Sequence, residues 1–193
     1  MGKKKPKKIP GSRTPKSSVS GTFEQVQPGF LICSALSRVL DLGANLDRAI
    51  LAFCHDGGDP LTTTDKLYTT VICEQRSQRV ESAVSLFEPR KVVSRFKRDV
   101  LTDMVRDDQD APVLVIPENI EASDPARNYY VANGVEVALW HNVYVSPDKS
   151  KMYFLSFHFT GKASNPVIAP RVKQSILNCV AEVALLVPQI MSE

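Results

Sequence analysis

The stretch from Asp110 to Phe159 constrains the fold of this chain more than any other. It opens on a short apolar run, Ala111-Pro112-Val113-Leu114-Val115-Ile116. Ser123-Asp124-Pro125 follows as a helix-start signal, because Asp or Ser accepts from the free N–H groups of a first turn and Pro suits the first helical position. The helix stops at Asn133-Gly134. Two strand-like runs come next, Val135 to Val145 and Met152 to Phe159, joined by the turn Ser146-Pro147-Asp148-Lys149-Ser150. Their β-branched and aromatic content predicts an antiparallel hairpin. The stretch also holds the only Trp, four of the five Tyr and two of the three His, so any aromatic core or imidazole chemistry is concentrated there.

The flanking sequence extends the pattern. Pro28-Gly29 opens a helix with Phe30, Cys33, Leu36, Val39 and Leu40 spaced for one face, and Gly43 is its stop signal. Leu46 to Phe53 reads as a strand, and His55-Asp56-Gly57-Gly58-Asp59-Pro60 as a turn cluster. Lys66 to Glu74 is the next strand. From Ser77 to Arg106 the apolar spacing lengthens to three and four, which predicts two helices broken at Pro89. The last helix is expected from near Pro170, with Val172, Ile176, Cys179, Val180, Val183 and Leu186-Val187 on its apolar face and Pro188 as its end. The fold class is therefore α+β, a mainly antiparallel central sheet flanked by helices.

Charge divides the chain into two parts. Residues 1–20 carry Lys3, Lys4, Lys5, Lys7, Lys8, Arg13 and Lys16 and no acid, so the rest holds 17 basic against 21 acidic residues. Residues 1–22 read as a disordered basic arm, too poor in apolar surface to offset the entropy of ordering. Residues 23–193 read as one domain, since 43% hydrophobic residues in a chain of this length suffice for a single core. The seven arm cations suit phosphates of a nucleic acid or another polyanion, in a salt-sensitive and sequence-independent manner. No aromatic residue interleaves them, so base stacking within the arm is not expected.

Several chemistries lack their motifs. The four cysteines, Cys33, Cys54, Cys73 and Cys179, form no CxxC pair. Each has apolar neighbours, which predicts buried free thiols in a reducing compartment. No phosphate-binding glycine loop, zinc-protease helix or calcium loop occurs, so no cofactor and no metal is expected. His55, Asp56 and Asp59 read as parts of a turn, with a subunit contact as the alternative. No apolar run approaches the ~20 residues needed to span a bilayer, and no apolar segment follows the N-terminal charge. The chain reads as intracellular.

On the hairpin, Tyr153, Leu155, Phe157 and Phe159 alternate onto one face. If Val145 pairs with Ser150, Trp140 falls opposite Leu155 and this face is an aromatic core. His141, Phe154, Ser156 and His158 fall on the other face and read as a half-polar pocket wall. With Trp140 they make the candidate ligand-pocket set. Ser156 and His158 invite a nucleophile-and-base idea, but residues two apart on a strand lie roughly 6–7 Å apart, which predicts no direct contact. No Gly-x-Ser-x-Gly elbow surrounds Ser156. No catalytic residue is assigned.

The element order resembles that of GAF-type sensory domains and of the related autoinducer-binding domains of quorum-sensing regulators. The likeness is carried by Ala126-Arg127-Asn128-Tyr129-Tyr130-Val131-Ala132-Asn133-Gly134-Val135 and by Met152-Tyr153-Phe154-Leu155-Ser156-Phe157. It implies a non-enzymatic domain that binds a small ligand or another copy of itself. The Trp/Tyr and Asp-Pro signature of the autoinducer pocket is not recognisable, so no ligand residue is carried over. A second resemblance is to basic-armed coat proteins of small icosahedral viruses, with Ala49 to Pro60 similar to a jelly-roll strand and its Asp-rich turn. It implies a capsid-type protein that packages RNA through its arm. A further alternative is a small hydrolase-like enzyme using His141 or His158.

Overall fold

The computed structural model describes residues 27–42, 45–55, 68–82, 100–103, 112–161 and 168–191. The first helix, α1 (Pro28–Leu40), places Pro at its start and buries Ile32, Ala35, Leu36 and Val39. Phe30, expected on that face, is 68% exposed, because two residues turn a helix by about 200° and carry it to the far side from Ile32. Strands β1 (Leu46–His55) and β2 (Tyr68–Arg76) follow. The predicted pair of helices is corrected in part. Residues 77–82 form a turn and irregular backbone, residues 100–103 are helical, and the remainder of 83–111 lies outside the described residues.

Strand β3 (Val113–Val115) leads into a 3₁₀ turn, Pro117–Asn119, and then helix α2 (Pro125–Ala132). Asp124 caps α2 as its sequence position demands, with Oδ1 accepting from the Ala126 N–H at 2.8 Å. Gly134 ends the helix region at φ 62°, a left-handed backbone that glycine adopts without strain. The hairpin is β4 (Val135–Val145) and β5 (Lys151–Thr160). Asp148 shapes its turn by accepting from the Ser146 and Ser150 hydroxyls at 2.6 and 2.8 Å. Helix α3 (Pro170–Ile190) is amphipathic as read, but Pro188 lies inside its final turn and does not end it.

The five strands form one sheet in the order β2-β1-β5-β4-β3, with every neighbouring pair antiparallel. Helices α1 and α3 cover one face, packing on Leu51, Leu139, Leu155 and Phe157. Helix α2 and the 100–103 turn cover the other, packing on Ile50, Ala52, Trp140 and Phe154. One sheet between helical layers stands in place of the two facing sheets of a jelly roll, so the jelly-roll likeness of residues 49–60 is not supported.

Trp140 pairs with Ser156, not Leu155, because the hairpin pairs Val145 with Met152 instead of Ser150 and the ladder then shifts by one residue between Asn142 and Tyr144. Asp47 sits at another irregularity, between Leu46 and Arg48 of β1. Buried to 1% exposure, it accepts from the Ser77 hydroxyl at 2.5 Å, from Arg79 Nε at 2.9 Å and from the Thr160 hydroxyl.

The cysteine expectation is also corrected. Cys33 of α1 and Cys73 of β2 form a disulfide across the interface, with Cα atoms 6.3 Å apart, while Cys54 and Cys179 are buried free thiols. Spacing gave no hint of the pairing, since the partners are 40 residues apart and meet only through the tertiary fold.

Candidate functional site

Among the described residues, the face covered by α2 gathers a connected group of buried polar side chains. Strand alternation brings Arg48, Ile50, Ala52 and Cys54 of β1 to this face. Opposite them stand His158, Ser156, Phe154 and Met152 of β5. Trp140 joins from β4, opposite Ser156, and Glu74 from β2, opposite Ile50. The one-residue register shift therefore moves two expected neighbours. Trp140 lies on the pocket face, flat against Phe154 with ring centroids 4.5 Å apart and planes within 3°. His141 lies on the opposite face, opposite Leu155 and edge-on to Phe157. A slip of one residue exchanges the two faces of a strand. Trp140, Phe154, Ser156 and His158 are thus brought together, and His141 is not.

Arg48 is the centre of the polar group and is fully buried. Its Nε lies 3.0 Å from Glu74 Oε1, at an angle that makes an ion pair without a hydrogen bond. Nη2 donates to the Glu81 carbonyl at 2.6 Å and to Asn133 Oδ1 at 3.3 Å. Nη1 lies 3.3 Å from His158 Nδ1. A buried charge is costly unless paired and hydrogen-bonded, and these four partners come from three separate segments around β1.

The histidine's role follows from that geometry. A guanidinium can only donate, so His158 Nδ1 accepts and its proton sits on Nε2. Nε2 then donates to Ser156 Oγ, 2.9 Å away. The expected absence of a Ser156–His158 contact is corrected: a His ring leaning along the strand spans the gap between the two Cα positions. Yet the bond runs the wrong way for an activated serine, because the imidazole has no lone pair free to take the hydroxyl proton. Burial first, and then the Arg48 charge, lower the His158 pKa to about 3, so the ring stays neutral at ordinary pH.

Tyr129 and Tyr130 close the site from α2, both edge-on to His158 at 6.1 and 5.6 Å. Tyr130 OH accepts from Trp140 Nε1 at 2.9 Å. Burial pushes the Tyr129 hydroxyl up to about 12, with Arg48 pulling the other way, and raises Tyr130 as well. Sequence reading missed Arg48, Glu74, Tyr129, Tyr130 and Asn133. One signal was present: Asp47 and Arg48 interrupt an otherwise apolar strand, where an unpaired charge has no place. The arm cations, Lys3 to Lys16, and the turn residues 56–60 lie outside the described residues. His55 is on β1, with Nε2 3.2 Å from the Thr70 hydroxyl. Among the described residues, no helix is long and apolar enough to cross a membrane.

No protein-family model matches the chain, and no curated protein matches it. Solved structures do. The phycocyanobilin-bound GAF domain of a cyanobacterial phytochrome superposes with a TM-score of 0.56 at 17% identity, covering 85% of this chain and 86% of that one. The fold is that of GAF domains. A Synechocystis GAF domain in its photoproduct state gives a TM-score of 0.58 at 13% identity, covering 86% of this chain and 96% of that one. The GAF domain/HD domain protein of Geobacter sulfurreducens gives 0.56 at 14%, covering 86% and 95%. The GAF-like element order read from the sequence is borne out, with α1 and α3 on one side of the sheet and α2 on the other.

Proposed function

We propose that the chain is a binding domain that takes a small ligand on the α2-covered face of the sheet, beside Arg48, Trp140, Phe154, Ser156 and His158. The observation that carries the reading is the meeting of a flat aromatic wall, Trp140 on Phe154, with convergent polar groups in the interior. Small-molecule sites combine a mostly apolar lining with a few placed polar groups. Similar structures include GAF domains bound to phycocyanobilin and to phycoerythrobilin, which supports a ligand role for this fold. Helices α1 and α3 also leave a cleft between them. Its volume is about 210 Å³, under the roughly 300–1,000 Å³ of common sites.

Trp140 supplies the test. Purified protein should carry, or on screening take up, a small molecule that changes Trp140 emission and shifts the amide resonances of residues 48, 140, 154, 156 and 158. Shifts confined to α1 and α3 would move the site to the other layer. A second reading concerns the arm, and the observation favouring it is seven cations without an acid in residues 1–20. It would bind nucleic acid or another polyanion, with affinity falling steeply as salt rises. Deleting residues 1–20 should abolish that binding, and unchanged affinity would refute it.

A further inference from the structure

Strand β2 is an edge strand that serves both faces of the sheet through consecutive residues. Cys73 faces α1 and is bonded to Cys33. Glu74, the next residue, faces the other way and pairs with the buried Arg48. Just before them the β1–β2 ladder is irregular. Leu51 pairs with Cys73 and Ala52 with Val71, which leaves Ile72 as an extra residue, 39% exposed. If that extra residue migrated past Glu74 to position 75, Cys73 would fall opposite Ile50 and turn to the Arg48 face, and Glu74 would fall opposite Ala49 and turn to the α1 face. The disulfide forbids this, because Cys33 holds Cys73 on the α1 side.

Beyond Glu74 the strand is fastened a second time. The Ser37 hydroxyl of α1 donates to Gln75 Oε1 at 3.1 Å. The Ser77 N–H donates to the Asp47 carbonyl at 2.9 Å, and Arg79 pairs with the Asp47 carboxylate at 2.7 Å. Glu74 therefore lies between two fastenings, of which one is covalent and sensitive to thiols. Cys33 is only half-buried, while the remaining thiols are poor competitors. Cys54 and Cys179 are buried, and burial, reinforced by Glu182, pushes the Cys179 thiol up to about 12, so little thiolate is available for exchange.

We propose that the Cys33–Cys73 pair is a reversible redox latch that controls how firmly β2 presents Glu74 to Arg48. Formation removes one proton and one electron from each thiol. The two protons and two electrons convert a low-molecular-weight disulfide, RSSR, into two RSH, and reduction is the reverse exchange. Oxidised, β2 is held on both sides of Glu74. Reduced, it loses its covalent tie to α1 and keeps the ladder to β1, the Ser82 hydroxyl on Glu74 and the Gln75 and Asp47 contacts, and residues 68–74 open locally more often. The inference goes beyond the ligand reading and is tested with no ligand present.

The test uses the full chain equilibrated with reduced and oxidised glutathione. Alkylation followed by mass measurement gives the fraction of bonded cysteine. Amide hydrogen exchange reads β2, and the Arg48 Nε–H resonance reads the ion pair. On reduction, residues 68–74 should exchange at least about tenfold faster while β4 and β5 hold their rates, and the Arg48 signal should shift. Cys33→Ser should match the reduced protein; if that variant does not fold, reduced wild type gives the same comparison. Glu74→Gln, kept oxidised, should shift the Arg48 signal while leaving the disulfide intact, which separates the ion pair from the latch. The proposal fails if millimolar reduced glutathione leaves the bond intact in the folded protein. It also fails if β2 exchange is unchanged on reduction, or if all five strands accelerate equally.

Discussion

The two faces of the sheet are built on different physics. The face under α1 and α3 is almost wholly apolar, with Leu51, Leu155 and Phe157 fully buried. Its stability is transfer and packing energy, spread over many contacts. The face under α2 buries Arg48, Ser156 and His158 as well as Trp140 and Phe154, so its order depends on a few directed bonds that must all be made. The first face can lose a methylene and keep its shape. The second has an all-or-nothing polar centre, which is the kind of element that a bound molecule or a redox change can bias.

The largest expected effect tests that contrast. Arg48→Ala leaves Glu74 buried without its cation and should cost about 3–5 kcal/mol in urea unfolding. Leu155→Ala, on the apolar face, should cost a similar ~2–5 kcal/mol through its cavity. The two differ in rescue. The double variant Arg48→Met with Glu74→Leu should recover most of the loss, since a buried ion pair is often replaceable by apolar residues. A double variant as unstable as Arg48→Ala would mean that the network does more than satisfy itself.

A smaller effect comes from pH. His158 is neutral when folded, with its pKa lowered from 6.5 to about 3, so the unfolded chain binds the extra proton below about pH 6.5. Its contribution is fully present above that value and is lost as pH falls toward 3. Between pH 7 and 5 the loss should be about 2 kcal/mol, and His158→Gln should remove most of that slope. If the slope survives the substitution, it arises from other groups. The smallest effect concerns the lid alone. Asp124→Ala removes the cap of α2 and should cost about 1 kcal/mol, with faster amide exchange in α2 and no change in α1 or α3.

What the sequence disclosed and what it hid follow one rule. Elements with strong local chemistry were legible: the Asp124-Pro125 cap, the Gly134 stop, the 146–150 turn and the apolar stripe of α3. Features set by the meeting of distant segments were not. The β4–β5 register depends on irregularities that local alternation does not reveal, and it exchanged Trp140 and His141 between faces. The disulfide and the Arg48–Glu74 pair each join residues that only the sheet brings together. Of the candidate pocket, four residues could be named because alternation on β5 is local and Trp140 was included beside it. Arg48, at the centre, was marked only by its place in an apolar strand, and its partners were not.

Asp47 carries a further consequence. One carboxylate holds the start of β1, the segment just past β2 and the last residue of β5, through Arg79, Ser77 and Thr160. Three strand ends tied to one atom group cannot leave in turn. Loss of any one strips partners from the other two, so this corner should melt as a single cooperative unit.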